Sequence, residues 1–193
     1  MEDIYKLMDE LQLNNHLTLE EIPDLDLYMD QVIQLFERKY AGAKRNEKEK
    51  VLTKTMINNY AKGKLFFPIT NKKYSRDHLL LISLIYQLKG ALSIGDIKTM
   101  LDELNRKIVE EEFDLDAFYE RYLHVTEKNV ERVQDHIQEN TREVREEIEK
   151  LDDQDDKYLE QVLDIASFVH MSNMYRRMAE RLVDQMSAED QEK

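Results

Sequence analysis

Cysteine and tryptophan are absent from this 193-residue sequence, proline occurs twice and glycine four times. Without cysteine there are no disulfides, thiolate zinc sites, iron–sulfur clusters or cysteine nucleophiles. With so few turn-forming residues, a β-sandwich or a many-stranded α/β sheet is not expected. Long apolar runs are missing too: no stretch approaches the roughly 20 residues that span a bilayer. Met1 to Leu13 alternate charged and apolar types and lack a secretory h-region. A cytoplasmic protein without membrane contact is the expectation. Its 41% hydrophobic content suffices for one compact core, or a small core plus a helical extension.

Charge is abundant but unevenly placed. The net −13 argues against nucleic acid, whose backbone is held mainly by Lys and Arg. That sum divides into −7 over residues 1–43, +8 over 44–101 and −14 over 102–193. One basic block therefore sits inside an acidic chain, and its asymmetry is more informative than the total. All four glycines and Pro68 lie in or beside that block, whereas 96–193 contains neither glycine nor proline. The compact fold is expected in the first part and long helices in the second.

Periodicity and capping residues predict the elements. A short amphipathic helix covers 2–12, Thr18 caps a turn ended by Pro23, and a second helix runs over about 26–41 with Leu27, Val32, Ile33, Leu35 and Phe36 inward. Thr53 caps a third helix, 54–62, which buries Met56, Ile57 and Tyr60 and stops at Gly63. The aromatic and β-branched segment 65–75 turns at Thr70-Asn71 and reads as a hairpin, a candidate wing. Ser75 caps a helix over 76–89, and Ser93 with Asp96 caps another over 94–110. Asp114 or Asp116 begins a helix reaching about 150, with a narrow seam through Phe118, Tyr122, Val125, Val130, Val133, Ile137, Val144, Ile148 and Leu151. After an acidic turn at 152–156, a last helix over 156–186 carries a wider stripe (Leu159, Val162, Ile165, Ala166, Val169, Tyr175, Met178, Leu182, Met186) and is expected to be the more buried partner.

Helix, wing, helix, helix in that order, over residues 51–101, resembles the winged helix-turn-helix of MerR-type regulators. The resemblance rests on a recognition helix ending in Tyr60, the Leu65 and Pro68 step, a basic wing of Lys72, Lys73, Tyr74 and Arg76, and a Leu-Ser-Ile-type helix start at Leu92–Ile97. The whole chain is similar to a bacterial family catalogued as a domain of unknown function whose members share this MerR-like core. The fold class so implied is mainly all-α, with a MerR-like winged helix-turn-helix, a small wing hairpin and a long C-terminal helical hairpin. Residues 1–23 form an N-terminal helical segment, 24–110 the winged helix-turn-helix and 111–193 a hairpin for dimerisation or effector response. Two features depart from the MerR pattern: a long charged loop over 42–52, and Asn58-Asn59 where the family has paired aromatics and arginine.

The residue chemistry points the same way. Lys54, Asn58, Asn59 and Lys62 fall on or beside the face opposite Met56, Ile57 and Tyr60; asparagine can read an adenine edge, and lysine can reach guanine or phosphate. Lys72, Lys73 and Arg76 would hold the backbone and set register. Thr53 and Lys64, flanking the helix, complete the candidate set. Tyr60 and Tyr74 either offer hydroxyls to phosphates or pack in the core. The expected partners are double-stranded DNA, a second copy of the chain, because such modules pair to read two half-sites, and an effector, small molecule or protein.

Other chemistries find little support. His16, His78, His124, His136 and His170 show no metal-binding spacing, and His78 is expected at the surface. The acidic run at 152–156 lacks the glycine and terminal glutamate of a calcium loop. Neither a phosphate-binding glycine loop nor a nucleophile beside a base occurs, so no enzyme and no cofactor are expected. A competing reading is a helical protein-interaction adaptor that uses the acidic arm. The seam from Phe118 to Leu151 and the methionines Met171, Met174, Met178 and Met186 either form a dimer interface or an adaptable effector pocket, or pack the two helices against each other and against the second helix.

Overall fold

Side-chain oxygens start three helices where their spacing predicts. The computed structural model describes residues 2–151 and 155–191, which run α1 (Glu2–Glu10), β1 (Leu27–Tyr28), α2 (Met29–Tyr40), α3 (Lys54–Lys62), β2 (Lys73–Tyr74), α4 (Arg76–Leu88), α5 (Ile94–Glu110), α6 (Leu115–Ile148) and α7 (Asp156–Gln191). Thr53 Oγ1 accepts from the Met56 N–H at 3.1 Å to open α3. A reciprocal capping box opens α5: Ser93 Oγ accepts from the Asp96 N–H at 3.1 Å, and the Asp96 carboxylate accepts from the Ser93 N–H at 3.0 Å. Ser75 precedes α4, and Asp114 Oδ1 accepts from the Ala117 N–H at 2.9 Å to open α6. The Thr53, Ser93 and Asp114 oxygens each satisfy a backbone donor that the first helical turn leaves without an intrahelical partner.

At the centre lies α4, apolar on every face. Leu79, Leu80, Leu81, Ile82, Leu84 and Ile85 are all buried, as a helix without a polar side must be. Around it pack Val32, Phe36 and Tyr40 of α2, Ile57 and Tyr60 of α3, Ile97 and Leu101 of α5, and Leu115 and Tyr119 of α6. Leu17 and Ile22 join the same cluster from the segment before α2, so the core extends on both sides of 24–110. Truncating one of these side chains to alanine costs about 2–5 kcal/mol. A buried hydrogen-bond relay closes the core. Tyr119 donates its hydroxyl to the Leu17 carbonyl at 2.8 Å, which leaves Ser83 Oγ to donate to Tyr119, also at 2.8 Å, while the Leu17 N–H donates to the Tyr40 hydroxyl at 3.2 Å.

The sheet differs from the expected 65–75 hairpin. Segment 65–69 forms no strand with 73–74; the hairpin reduces to a tight turn with one bridge, Thr70 to Lys73. Asn71 and Lys72 both lie in the left-handed region (φ 53° and 60°), and the Lys73 N–H donates to the Thr70 carbonyl at 3.0 Å. That is the geometry of a type I′ turn. The outgoing strand β2 pairs antiparallel with β1 instead, Leu27 opposite Tyr74 and Tyr28 opposite Lys73. Helix α2 accordingly starts at Met29 rather than 26, because Leu27 and Tyr28 are spent on the sheet.

Beyond the core, α6 and α7 form the expected hairpin, with the distal part of the expected α6 seam inward but a different face of α7. Of the expected seam, Val144 and Ile148 are buried beside Asn140, and Tyr122, Val130 and Ile137 are half-buried, whereas Phe118, Val125, Val133 and Leu151 are exposed. On α7 the expected stripe is exposed from Val162 to Met186, and Val183 is the residue that reaches the core. The reason is a polar layer. Asn140 donates to Asp164 at 3.3 Å and accepts from the Ser167 hydroxyl, and Arg145 pairs with Glu160 at 3.6 Å. These groups turn the polar side of α7 toward α6. Asp152, Asp153 and Gln154 of the expected acidic turn lie outside the described residues. Among the described residues no helix is long and apolar enough to cross a membrane.

Candidate nucleic-acid interface

Helix α3 is held by one side and open on the other. Ile57 and Tyr60 are buried, whereas Lys54, Thr55, Asn58, Asn59, Ala61 and Lys62 face solvent. Its C-terminus is a Schellman motif: the Leu65 N–H donates to the Tyr60 carbonyl at 3.0 Å and the Lys64 N–H to the Ala61 carbonyl at 3.1 Å. Lys64, not Gly63, takes the left-handed position, at φ 55°. Gly63 serves close packing: a Cβ there would stand 3.2 Å from Ile94 Cγ2 and from the Asn59 carbonyl oxygen. The helix is thus clamped end-on to α5.

The turn at 70–73 rises beside the N-terminus of α3. Tyr28, Asp30, Lys54, Ile69, Lys72 and Tyr74 line one shallow cleft of about 320 Å³. Lys54 pairs with Asp30 at 2.8 Å, and Lys73 Nζ stands 5.3 Å from the centre of the exposed Tyr28 ring, a cation–π contact. Among the described residues, Lys62, Lys64 and Lys72 have no ion-pair partner. Tyr28 was invisible to periodicity, because only its pairing with Lys73 across the sheet brings it to this surface.

Four of the expected contact residues are used inside the protein. Tyr60 and Tyr74 are buried, and burial pushes both phenols above their ordinary pKa, so the core-packing alternative holds for each. Arg76 spends all three guanidinium nitrogens on its own chain. Nε donates to Asp116 at 2.9 Å, Nη1 to the Ile22 carbonyl at 3.0 Å and to Asp24 at 3.3 Å, and Nη2 to the Leu19 carbonyl at 3.1 Å. It ties the start of α4 to α6 and to the segment before α2. Thr53 is occupied as the cap of α3.

His78, expected at the surface, is buried and anchors the turn from behind. Its Nδ1 accepts from the Ser75 N–H at 3.1 Å, so the proton lies on Nε2, which donates to the Phe67 carbonyl at 3.1 Å. Phe66, Phe67 and Tyr74 pack around the ring. Burial holds the imidazole below its ordinary pKa, keeping it neutral. The basic block is thinned further by Lys89, which donates to the Val51 carbonyl at 3.0 Å over the Tyr86 ring and is likewise lowered by burial. Among the described residues no cluster of three or more His, Asp or Glu is placed to hold a metal.

Fold and surface together define a mainly α-helical protein: a core around one apolar helix, a two-stranded sheet bearing a basic turn, and a projecting helical hairpin. Residues 17–122 match the domain of unknown function DUF1836, and the chain belongs to that family. The match begins at Leu17 and ends at Tyr122, close to the limits of the packed core and short of the arm. No curated protein and no solved structure matches the chain.

Proposed function

We propose that this protein is a cytoplasmic, sequence-specific DNA-binding transcription regulator of MerR-like type, with α3 in the major groove and the 70–73 turn as its wing. The observation that carries this reading is the cleft in which Lys54, at the start of α3, and Lys72, at the tip of the turn, come together. Asn58 and Asn59 on the exposed face of α3 are the base-reading groups, since a carboxamide meets an adenine edge bidentately. Lys54, Lys62, Lys64, Lys72 and Lys73 neutralise phosphates and set register, and Tyr28 joins them. Arg76, Tyr60 and Tyr74 hold the reader together from within. The acidic remainder of the chain confines contact to this one surface.

Selection from random duplex DNA, followed by anisotropy titration across salt, tests this. If about 6 phosphates are neutralised per protomer, log K falls with log salt at a slope near −5. Lys62→Ala lowers the slope by about 1, and Asn58→Ala relaxes the selected sequence. A flat salt response, with no enriched sequence, would refute it.

A further inference from the structure

The connector from α3 to the basic turn, residues 65–69, has no strand beside it, so a sheet ladder cannot satisfy its backbone carbonyls. Two side chains from behind take the place of that strand. His78 of α4 donates to the Phe67 carbonyl at 3.1 Å, and Asn105 of α5 donates to the Leu65 carbonyl, also at 3.1 Å. Asn105 sits among apolar neighbours on its helix: Leu101, Leu104 and Ile108 all belong to the core or pack against it. Its carboxamide nitrogen donates to Leu65 and, at 2.8 Å, to the Leu101 carbonyl one turn back. Both partners are acceptors, so the nitrogen must face them and Oδ1 must face away. There Oδ1 is buried and, among the described residues, has no hydrogen-bond partner. A leucine would avoid that penalty and extend the apolar side of α5. What the asparagine adds is the bond to Leu65, 40 positions away. A residue that breaks the packing rule of its own helix marks a place where function sets the choice.

We propose that Asn105 is a positioning residue of the basic surface: without touching the ligand, it fixes the separation between α3 and the 70–73 turn. Leu65 is where that separation is set. Its N–H closes the Schellman motif on the Tyr60 carbonyl of α3, and its carbonyl is the group that Asn105 holds. Beyond it, Pro68 removes a donor and keeps Phe67 extended, and His78 fixes the Phe67 carbonyl. The path from helix to turn is thus pinned at two points, by α5 and by α4. With both bonds made, Asn58 and Lys62 on α3 and Lys72 on the turn are presented at one spacing, the support that a recognition surface needs from the residues behind it. The ligand in this inference rests on the DNA-binding reading; the spacing is measurable without DNA.

Spin labels on Ala61→Cys and Thr70→Cys, two exposed positions in a chain that has no other cysteine, report the separation of helix and turn by double electron–electron resonance on the full chain. One narrow distance is expected with Asn105 in place, and a broadened distribution with Asn105→Leu. In anisotropy titrations of the unlabelled chains, Asn105→Leu weakens duplex binding by about tenfold and relaxes the selected sequence. Its salt slope stays that of wild type, because no phosphate contact is removed. Its melt also stays close to wild type, since the lost bond is offset by removal of the buried Oδ1. Asn105→Gln restores a carboxamide donor and recovers the narrow distance and most of the affinity. If the leucine variant does not fold, Asn105→Ala takes its place in both measurements. An unchanged distance distribution, or a broadened one with wild-type affinity and selectivity, overturns the proposal. A wild type that selects no DNA, while the distance still depends on residue 105, refutes the DNA-binding reading and leaves the positioning role standing.

Discussion

Replacing Arg76 by alanine separates a structural arginine from a DNA-contacting one. Its side chain is 26% exposed and reaches four partners of unequal value. Asp24, 96% exposed, contributes nothing measurable. Asp116, 42% exposed, regains water when the guanidinium leaves and loses only part of its pairing. The Leu19 and Ile22 carbonyls lose a charge-assisted donor, worth about 1.5–3 kcal/mol each before such relief. Asp77 adds to the cost: its carboxyl is raised first by burial and then by Asp116, and the charge of Arg76 offsets that. A net loss of about 3 kcal/mol is expected, which for a chain of this length lowers the melting temperature by about 6–12 °C. Arg76→Lys recovers little, because a lysine cannot present the guanidinium fork. Thermal melts followed by circular dichroism measure the loss, with Lys62→Ala as the control that leaves the melt unchanged. If Arg76→Ala melts with wild type and instead lowers the salt slope of DNA binding as Lys62→Ala does, the structural role assigned to Arg76 is wrong.

Three further substitutions probe the same region. Lys64→Gly relieves a left-handed residue and should stabilise by about 1 kcal/mol, seen as a raised denaturation midpoint; an unchanged or lower one contradicts the Schellman assignment. Asp30→Asn frees Lys54 from its pair and should tighten duplex binding by about fivefold at low salt, measured by anisotropy, whereas weaker binding would mean that Asp30 positions the lysine. His78 and His16 both have pKa values lowered chiefly by burial, so the unfolded chain takes up protons near pH 6.5 that the folded chain refuses. Stability is therefore complete above that pH and lost as pH falls below it. His78→Asn should flatten this loss in urea titrations between pH 5 and 7.5, leaving the share due to His16, and an identical profile in both proteins would remove His78 as a contributor.

Helix starts were legible because capping is local: Thr53, Ser93 and Asp114 each bond a backbone N–H three residues on. The exposed face of α3 was legible for the same reason, since one helical period places Asn58 and Lys62 away from Ile57 and Tyr60. What escaped depends on residues far apart. The partner of the basic turn is Tyr28, 45 positions before Lys73, and nothing in either segment names the other. Arg76 looks like a wing cation until Leu19, Ile22 and Asp116 are set around it. His78 looks exposed until three aromatic rings enclose it. In the arm, hydrophobic spacing identified two helices and the inward side of distal α6 but not the rotation of α7, where Asp164 and Ser167, bonded to Asn140, outweigh the apolar stripe in choosing which side meets α6.

The relay from Leu17 to Tyr119 also orders events during synthesis. Leu17 leaves the ribosome early, but its carbonyl receives its donor only when Tyr119, 102 residues later, has emerged. Until then the central helix lacks both Leu115 and Tyr119, and α3 has no finished core to lie against. A polypeptide halted before that point would carry every lysine of the basic surface without the scaffold that arranges them. Such a fragment holds those lysines without a finished core to fix their spacing, so the order of the basic surface waits on the start of α6.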